Sequence, residues 1–333
     1  MDDAVIDKIS HKLNCSPDVI QPKLETYIQS NDTRRKQILN ELQHINIYQI
    51  VNNWTDNGNN PVLFCVVRNE RFRIPQFIRY YRDLGIDRFV FVDNGSTDGT
   101  RDWLSKENGV ILYGSDDTYS SERRVAWLNY ALVQHGINRW CVVVDADEYL
   151  TYIGCENHPI TELLQMTETK RYQGFMIDMF PKGSMFCCDE NWFSECVYFE
   201  PGSICKKQWK HGTLIEGGVR GRVFQFVVGL SKYPLFYYEG NDFYANAHYL
   251  TPKMECPIWF AIRHYKFVDK LDFDKVEEAV RNEQYYRHSH MYKKYYDYIK
   301  ENGDLIFYSD RAVRYENSES LKCIGFLETP KFT

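Results

Sequence analysis

The sequence predicts an α/β protein, built on a mixed and mostly parallel sheet flanked by helices, with helical additions at both ends. Three observations lead there. Residues 62–144 alternate between short apolar runs and helix-patterned stretches separated by tight turns, the rhythm of parallel strands joined by right-handed crossovers. One run, Trp140-Cys141-Val142-Val143-Val144, is apolar without alternation, as a strand covered on both faces must be. Acidic and polar motifs then occur where the strands end, the edge at which open α/β sheets bind ligands.

The elements follow in order. Residues 1–57 read as a helical N-terminal extension. Val5, Ile6, Ile9 and Leu13 keep helical spacing, Ser16-Pro17 reads as an N-cap with proline at the first helical position, and Ile38, Leu42 and Ile45 share a stripe. Such helices pack on the main domain or pair with a second copy in a homo-oligomer. Asn57-Gly58-Asn59-Asn60-Pro61 is a breaker and marks a boundary. A main domain is expected over 58–270. It starts with a strand at Val62–Val67, a helix from Pro75 to Leu84 stopped by Gly85, and a strand at Arg88–Val92. A short helix within Asp98–Lys106 and a strand at Val110–Tyr113 come next. Ser120 caps a helix carrying Val125, Leu128, Leu132 and Val133 that Gly136 ends, before the strand at Trp140–Val144. Further strands are expected at Phe175–Phe180, Val223–Val228 and Leu235–Tyr238. Residues 271–333 read as a helical C-terminal segment, with Asp274–Lys300 rich in Tyr, Lys and Arg.

Composition narrows the function classes. A net charge of −6 gives no basic footprint for nucleic acid. Asp2, Asp3 and Asp7 interrupt any signal-peptide core, and no segment has the apolar length of a membrane span. The basic aromatic stretch at 274–300 is compatible with peripheral membrane contact. Without a secretory signal the 10 cysteines read as reduced thiols of a cytoplasmic protein. Cys187, Cys188, Cys196 and Cys205 contain no Cys-x-x-Cys pair, which argues against structural zinc.

The chemistry concentrates at three strand ends. Val67 is followed by Arg68-Asn69-Glu70. The second strand runs into Asp93-Asn94-Gly95-Ser96-Thr97-Asp98-Gly99-Thr100, and the strand at 140–144 into Asp145-Ala146-Asp147. Two aspartates two residues apart share a face of an extended chain and suit a divalent cation that prefers hard oxygen ligands.

In these motifs the chain resembles the GT-A glycosyltransferases of family 2, in the branch with Val-x-Arg-Asn-Glu, Asp-Asn-Gly-Ser-Thr-Asp-Gly-Thr and Asp-Ala-Asp-Glu-Tyr/Phe-Leu. All three occur in order between Val66 and Leu150. Gly217–Phe224, Lys232–Leu235 and His264-Tyr265-Lys266-Phe267 match further segments of that branch, so the resemblance covers about residues 60–300. It implies a GT-A fold and transfer of a sugar from a nucleotide-sugar, most simply a UDP-sugar, to a glycan or lipid-linked glycan acceptor. The setting it implies is surface polysaccharide synthesis at the inner membrane face, with Mn²⁺ or Mg²⁺ as cofactor. Asp93 would accept from the base, with the backbone at Val67, Arg68 and Glu70 shaping its pocket. Asp145 would contact ribose and, through water, the metal. Asp147 would ligate it, joined by His264 or, second, His248. Arg220 and Arg222 would clamp the diphosphate or acceptor anions, their alternative being to pair with surface acids, and Lys266 would approach the phosphates. Inversion at the anomeric carbon requires a carboxylate base, for which Glu216, then Asp178 and Asp242, are the candidates. The family's glutamine near the start of the helix before Asp-x-Asp is replaced here by Arg123 or Arg124.

Two other readings share the scaffold. A sugar-phosphate nucleotidyltransferase would need a glycine-rich, arginine-containing loop after the first strand, which Arg68-Asn69-Glu70 does not supply. A catalytically silent glycan- or nucleotide-binding module would keep the fold without the chemistry, and the intact acidic pair counts against it.

Overall fold

The computed structural model describes residues 2–28, 32–54, 60–188, 190–209, 212–240, 243–246, 248–251, 255–268, 270–281 and 289–332. Helices α1 (Asp2–Leu13), α2 (Pro17–Ile28) and α3 (Thr33–His44) come first, then β1 (Tyr48–Asn52), β2 (Val62–Val67), α4 (Ile74–Asp83), β3 (Arg88–Asp93) and α5 (Thr100–Leu104). β4 (Val110–Gly114), α6 (Ser121–His135), β5 (Arg139–Val143), β6 (Glu148–Thr151), α7 (Ile160–Gln165) and β7 (Arg171–Asp178) follow. Beyond them lie α8 (Trp192–Glu195), β8 (Tyr198–Phe199), the hairpin β9 (Ile204–Trp209) and β10 (Gly212–Gly217), α9 (Gly218–Phe224) and β11 (Ser231–Tyr238). The chain continues through β12 (Phe243–Tyr244), β13 (Leu250–Thr251), β14 (Ile258–His264), α10 (Lys270–Arg281), α11 (Ser289–Asn302) and β15 (Val313–Arg314). The class is the expected one, α/β with mostly parallel strands flanked by helices. The chain forms two compact units, one of residues 1–146, 167–171 and 233–254, the other of 147–166, 172–232 and 255–333.

In the first unit the strand order is β1-β4-β3-β2-β5-β11. β2, β3, β4 and β5 run parallel, while β1 and β11 close the two sides antiparallel. Every residue of β3 and β4 is buried, which is why these strands show no alternation in sequence. β3 and β4 lie to one side of β2 and β5 to the other, so the chain order reverses at the β2/β5 pair. Ligand crevices of open α/β sheets form outside strand carboxyl ends at such a reversal, and here those ends lead into Arg68 and Asp145. Helix α6 is set by its caps: the Ser120 hydroxyl accepts from the Arg123 amide at 3.0 Å, and Gly136 ends it. α3 packs against α6 and is tied to it by Arg123–Glu41 and Arg34–Glu122 ion pairs. The N-terminal helices thus pack on the main fold through α3, as one of the two expectations has it.

In the second unit β14 runs parallel to β7 and antiparallel to β6. The register sets Asp178, His264 and Glu148 side by side across the three strands. Much of the aromatic content after residue 170 is core. Phe224, Phe267, Tyr295 and Phe307 pack with centroids 4.6–6.2 Å apart where α9, α11 and the C-terminal segment meet.

Three local expectations are corrected. Residues 1–57 are not wholly helical, because Tyr48–Asn52 forms β1 against β4. Val223–Val228 is not a strand: Gly217 turns the chain at φ 104° into helix α9, and Gln225 ends it in the left-handed region. A Cβ on Gly217 would lie 2.2 Å from the Ser203 carbonyl oxygen, so only glycine allows this turn. The 271–333 segment is helical in α10 and α11, but then extends as β15 and a short 3-10 turn at Ser318–Ile324.

His135 offers a test of the first unit. Its Nε2 lies 2.8 Å from the Tyr113 hydroxyl, and its ring packs near Trp54. Burial, helped by Arg139, lowers its pKa to about 4. The folded protein thus resists a proton that the unfolded chain takes up near pH 6.5, and stability falls as pH drops from about 6.5 to about 4. Urea unfolding midpoints across that window are expected to vary less with pH in His135→Gln than in the wild type.

Candidate metal centre

The acidic tripeptide leaves β5 with Asp145 in the first unit and Asp147 in the second. Asp145 is met by Arg124 of α6, whose guanidinium pairs with its carboxylate. Arg123, the neighbouring candidate for the missing glutamine, turns the other way to Glu41. Asp147 meets His264 instead: its Oδ2 is 3.3 Å from the imidazole Nε2. The Tyr265 amide donates to the Asp147 carbonyl at 2.8 Å, which fixes the loop beside the end of β14.

Among the described residues, the group of ligating side chains able to hold a metal ion is Asp147, Glu148 and His264, with one ligand atom from each within 4.8 Å of the others. Two carboxylates and an imidazole form a donor set that suits Mn²⁺ or Mg²⁺ through oxygen and tolerates a nitrogen ligand. The residues therefore fit a divalent cation, with Asp147 and His264 as its principal holders. Asp145 is not one of the three. Glu148 Oε2 lies 2.5 Å from Lys232 Nζ, and both side chains are almost fully buried, so Glu148 carries a counter-charge already.

The His264 imidazole is held from both sides. Its Nδ1 lies 2.7 Å from Asp178 Oδ1, and Arg220 Nε sits 2.8 Å from the same carboxylate. Burial opposes a charge on Asp178, yet Arg220 and His264 more than offset it and bring its pKa down to about 2. Burial likewise opposes a charged imidazole, but Asp147 and Asp178 raise the His264 pKa above its ordinary value. Lys266, half-buried, has its Nζ 5.8 Å from the Tyr292 ring centroid. Tyr292 and, against burial, Asp147 and Asp272 raise its pKa.

At the strand edge of the first unit, the polar loops interlock. The Asn69 amide donates to Ser96 Oγ, the Glu70 amide to Thr100 Oγ1 and the Arg71 amide to Asp98 Oδ2, each at 2.9 Å. The Thr97 amide returns to Asn69 Oδ1 at 2.8 Å. Burial would raise the Asp98 pKa, but the Thr100 hydroxyl and the Arg71 and Thr100 amides lower it. Asp93 is fully buried. Its Oδ2 accepts from Arg101 Nε at 2.7 Å, while Oδ1 has no partner. An orphaned buried carboxylate oxygen is a ready acceptor for a ligand N–H. Val67 closes β2 with its carbonyl accepting from the Asn94 amide, Arg68 is exposed, and Glu70 pairs with Arg73.

The remaining expected residues scatter. Arg222 grips Glu200 and the Phe307 carbonyl, which ties down the C-terminal segment. Glu216, on β10, pairs with Lys207 at the surface. His248 belongs to the first unit, where its amide donates to Asn246 Oδ1. Asp242 lies outside the described residues. Reading the motifs alone missed Arg101, Glu148 and the partnership of Lys232. The last had a signal: a lysine opening the apolar run Lys232–Tyr238 must find a buried acid.

No protein-family model and no curated protein matches the chain. Partial likeness extends to a number of solved structures, two of them as follows. The crystal structure of S. aureus TarS 1–349 has 17% identity and a TM-score of 0.31, covering 38% of this chain and 40% of that one. A mycobacterial protein has 17% identity and a TM-score of 0.26, covering 38% and 43%. The chain thus spans about two fifths of the length of either structure.

Breaking the Lys232–Glu148 pair from one side strands a buried charge, at a cost of about 3–5 kcal/mol. Lys232→Met is expected to lower stability by that amount in urea unfolding. Lys232→Met combined with Glu148→Leu should recover most of the loss. A single variant within about 0.5 kcal/mol of the wild type would mean that the pair is solvated.

Proposed function

We propose that this protein is a metal-dependent glycosyltransferase of the GT-A type, moving a sugar from a UDP-sugar to a glycan acceptor with inversion, in surface polysaccharide synthesis. The observation that carries the reading is the Asp147–His264 pair, a carboxylate and an imidazole that converge at the end of a strand-edge Asp-x-Asp. The motif order Arg-Asn-Glu, Asp-Asn-Gly-Ser-Thr-Asp-Gly-Thr, Asp-Ala-Asp supports it from the sequence. The orphaned Oδ1 of Asp93 supports a base-recognition role, since a carboxylate accepts from a uracil ring N–H.

Asp147 and His264 would hold Mn²⁺ or Mg²⁺, with Glu148 able to add an oxygen. A divalent cation bound there supplies charge neutralisation for a departing nucleoside diphosphate. Lys266 contributes a fixed positive charge near Asp147 toward the same phosphates. Asp145, paired with Arg124, would contact the ribose of the donor and, through water, the metal. In a single displacement the acceptor hydroxyl attacks the anomeric carbon as the bond to phosphate breaks, and a carboxylate takes the hydroxyl proton. Glu216 is the candidate base, because its partner Lys207 is a solvated surface residue; Asp242 is the second candidate. No helix among the described residues is long and apolar enough to cross a membrane. We place the enzyme on the cytoplasmic side, with peripheral contact at the inner membrane face where lipid-linked acceptors are presented.

The deciding experiment screens nucleotide sugars for transfer or hydrolysis with and without Mn²⁺. Metal-dependent turnover of one donor is expected, falling at least about a hundredfold in Asp147→Ala, or roughly 2.7 kcal/mol of transition-state stabilisation. UDP binding without donor turnover would favour the silent binding module. For Asp93, isothermal titration should show UDP affinity reduced in Asp93→Ala and partly retained in Asp93→Asn, whose amide keeps an acceptor oxygen. Unchanged affinity in both variants removes Asp93 from the donor site.

A further inference from the structure

Two residues of the second unit have outgrown the roles the family resemblance implies for them. Asp178 is ranked as a base candidate, yet it is buried and both Arg220 and His264 bind its carboxylate. A base must reach an acceptor hydroxyl, and this carboxylate is already committed. Arg220 is expected at the donor diphosphate, yet its Nε goes to Asp178 and its Nη1 lies 3.5 Å from the Tyr295 hydroxyl. Its remaining Nη2 is buried without a partner. The Gly217-Gly218 turn, with positive φ at both residues, is what starts α9 where Arg220 reaches Asp178. The Gly-Gly-Val-Arg segment thus serves an internal ion pair.

The consequence falls on His264. A neutral imidazole has one N–H and one lone pair, on different nitrogens. With an Arg220-bound carboxylate 2.7 Å from Nδ1, the stable tautomer carries its proton on Nδ1 and donates it to Asp178. The reverse tautomer would set the lone pair against Asp178 at 2.7 Å, whereas this one turns it toward Asp147 at 3.3 Å, where a cation can share both groups. The lone pair is therefore at Nε2, which faces Asp147. Ligating histidines are commonly oriented by a carboxylate on the distal nitrogen. We propose that Asp178 and Arg220 are positioning residues that hold the His264 imidazole with its Nε2 lone pair beside Asp147, ready to ligate a divalent cation. Arg220 acts at one remove, by keeping Asp178 charged and in place. The proposal rests on the metal-dependent reading above and assigns the parts of that site.

The test uses the full chain without donor. Mn²⁺ affinity is measured by electron paramagnetic resonance for the wild type, Asp178→Asn and Arg220→Lys, with circular dichroism and thermal melting as controls on folding. In parallel, ¹⁵N-histidine NMR of the metal-free protein at alkaline pH reports the tautomer of His264, assigned through the signal lost in His264→Gln. The wild type should carry the proton on Nδ1. Asp178→Asn should mix the tautomers and weaken Mn²⁺ binding about tenfold or more, and Arg220→Lys should weaken it less. A folded Asp178→Asn with wild-type Mn²⁺ affinity overturns the positioning role while leaving the metal reading intact. An Nε2–H tautomer in the wild type overturns it too, even if Asp178→Asn does not fold. Absence of Mn²⁺ binding by the wild type overturns both.

Discussion

A carboxylate removed from water governs the second unit. An ionised group such as Asp178 costs several kcal/mol to bury, and only closely matched partners offset that cost. Its partners come from far along the chain: His264 from β14 and Arg220 from α9. Satisfying one acid therefore fixes the register of β7 against β14, requires a glycine turn before α9, and brings Tyr295 of α11 over the guanidinium. Two residues after Arg220, Arg222 takes Glu200 and a C-terminal carbonyl, and the hydroxyl of Ser309 adds a third contact to Glu200. The geometry at Asp147 is the outer end of this chain of constraints.

The strand-edge loops of the first unit follow a different logic. Their side chains are polar and look available, but nearly all of them are used in holding the loops. Ser96, Thr100 and Asp98 accept the successive amides of Asn69, Glu70 and Arg71, so the loop after β3 serves as a mould for the loop after β2. Asp93 and Asn94 are exceptions: Arg101 takes one oxygen of Asp93 while the other stays unpaired in a fully buried position, and the Asn94 amide oxygen is also unpaired. A rigid frame around unmet acceptors suits the proposed recognition of a flat heterocycle, with little loop entropy to lose at each event. The rest of the motif is there to build that frame.

Legibility differed with the range of the interaction. β2 to β5 and the helices between them were readable to within a residue or two, because apolar runs, an N-cap serine and terminal glycines are local signals. β1 was not, since an edge strand paired antiparallel to β4 has mixed burial and little apolar pattern of its own. The segment at Val223–Val228 misled for a related reason: β-branched residues suggested a strand, while the backbone was decided by Gly217 against Ser203. At the site, Asp93, Asp145 and Asp147 stood out because acids at strand ends are locally anomalous, whereas His264 was reached only through the His-Tyr-Lys-Phe match to the family it resembles.

The sequence by itself determined the class of fold, the parallel core and the polar motifs at the strand ends, since each depends on neighbours within a few positions. Only the tertiary structure decided which charges meet. It gave Asp145 to Arg124 and Asp147 to His264, although the two acids are two residues apart. It moved Asp178 and Arg220 from exposed roles to a buried pair, and matched Lys232 with Glu148 across 84 positions. Charge pairing inside a protein falls off over a few ångströms and takes no account of separation along the chain, so no local pattern encodes it.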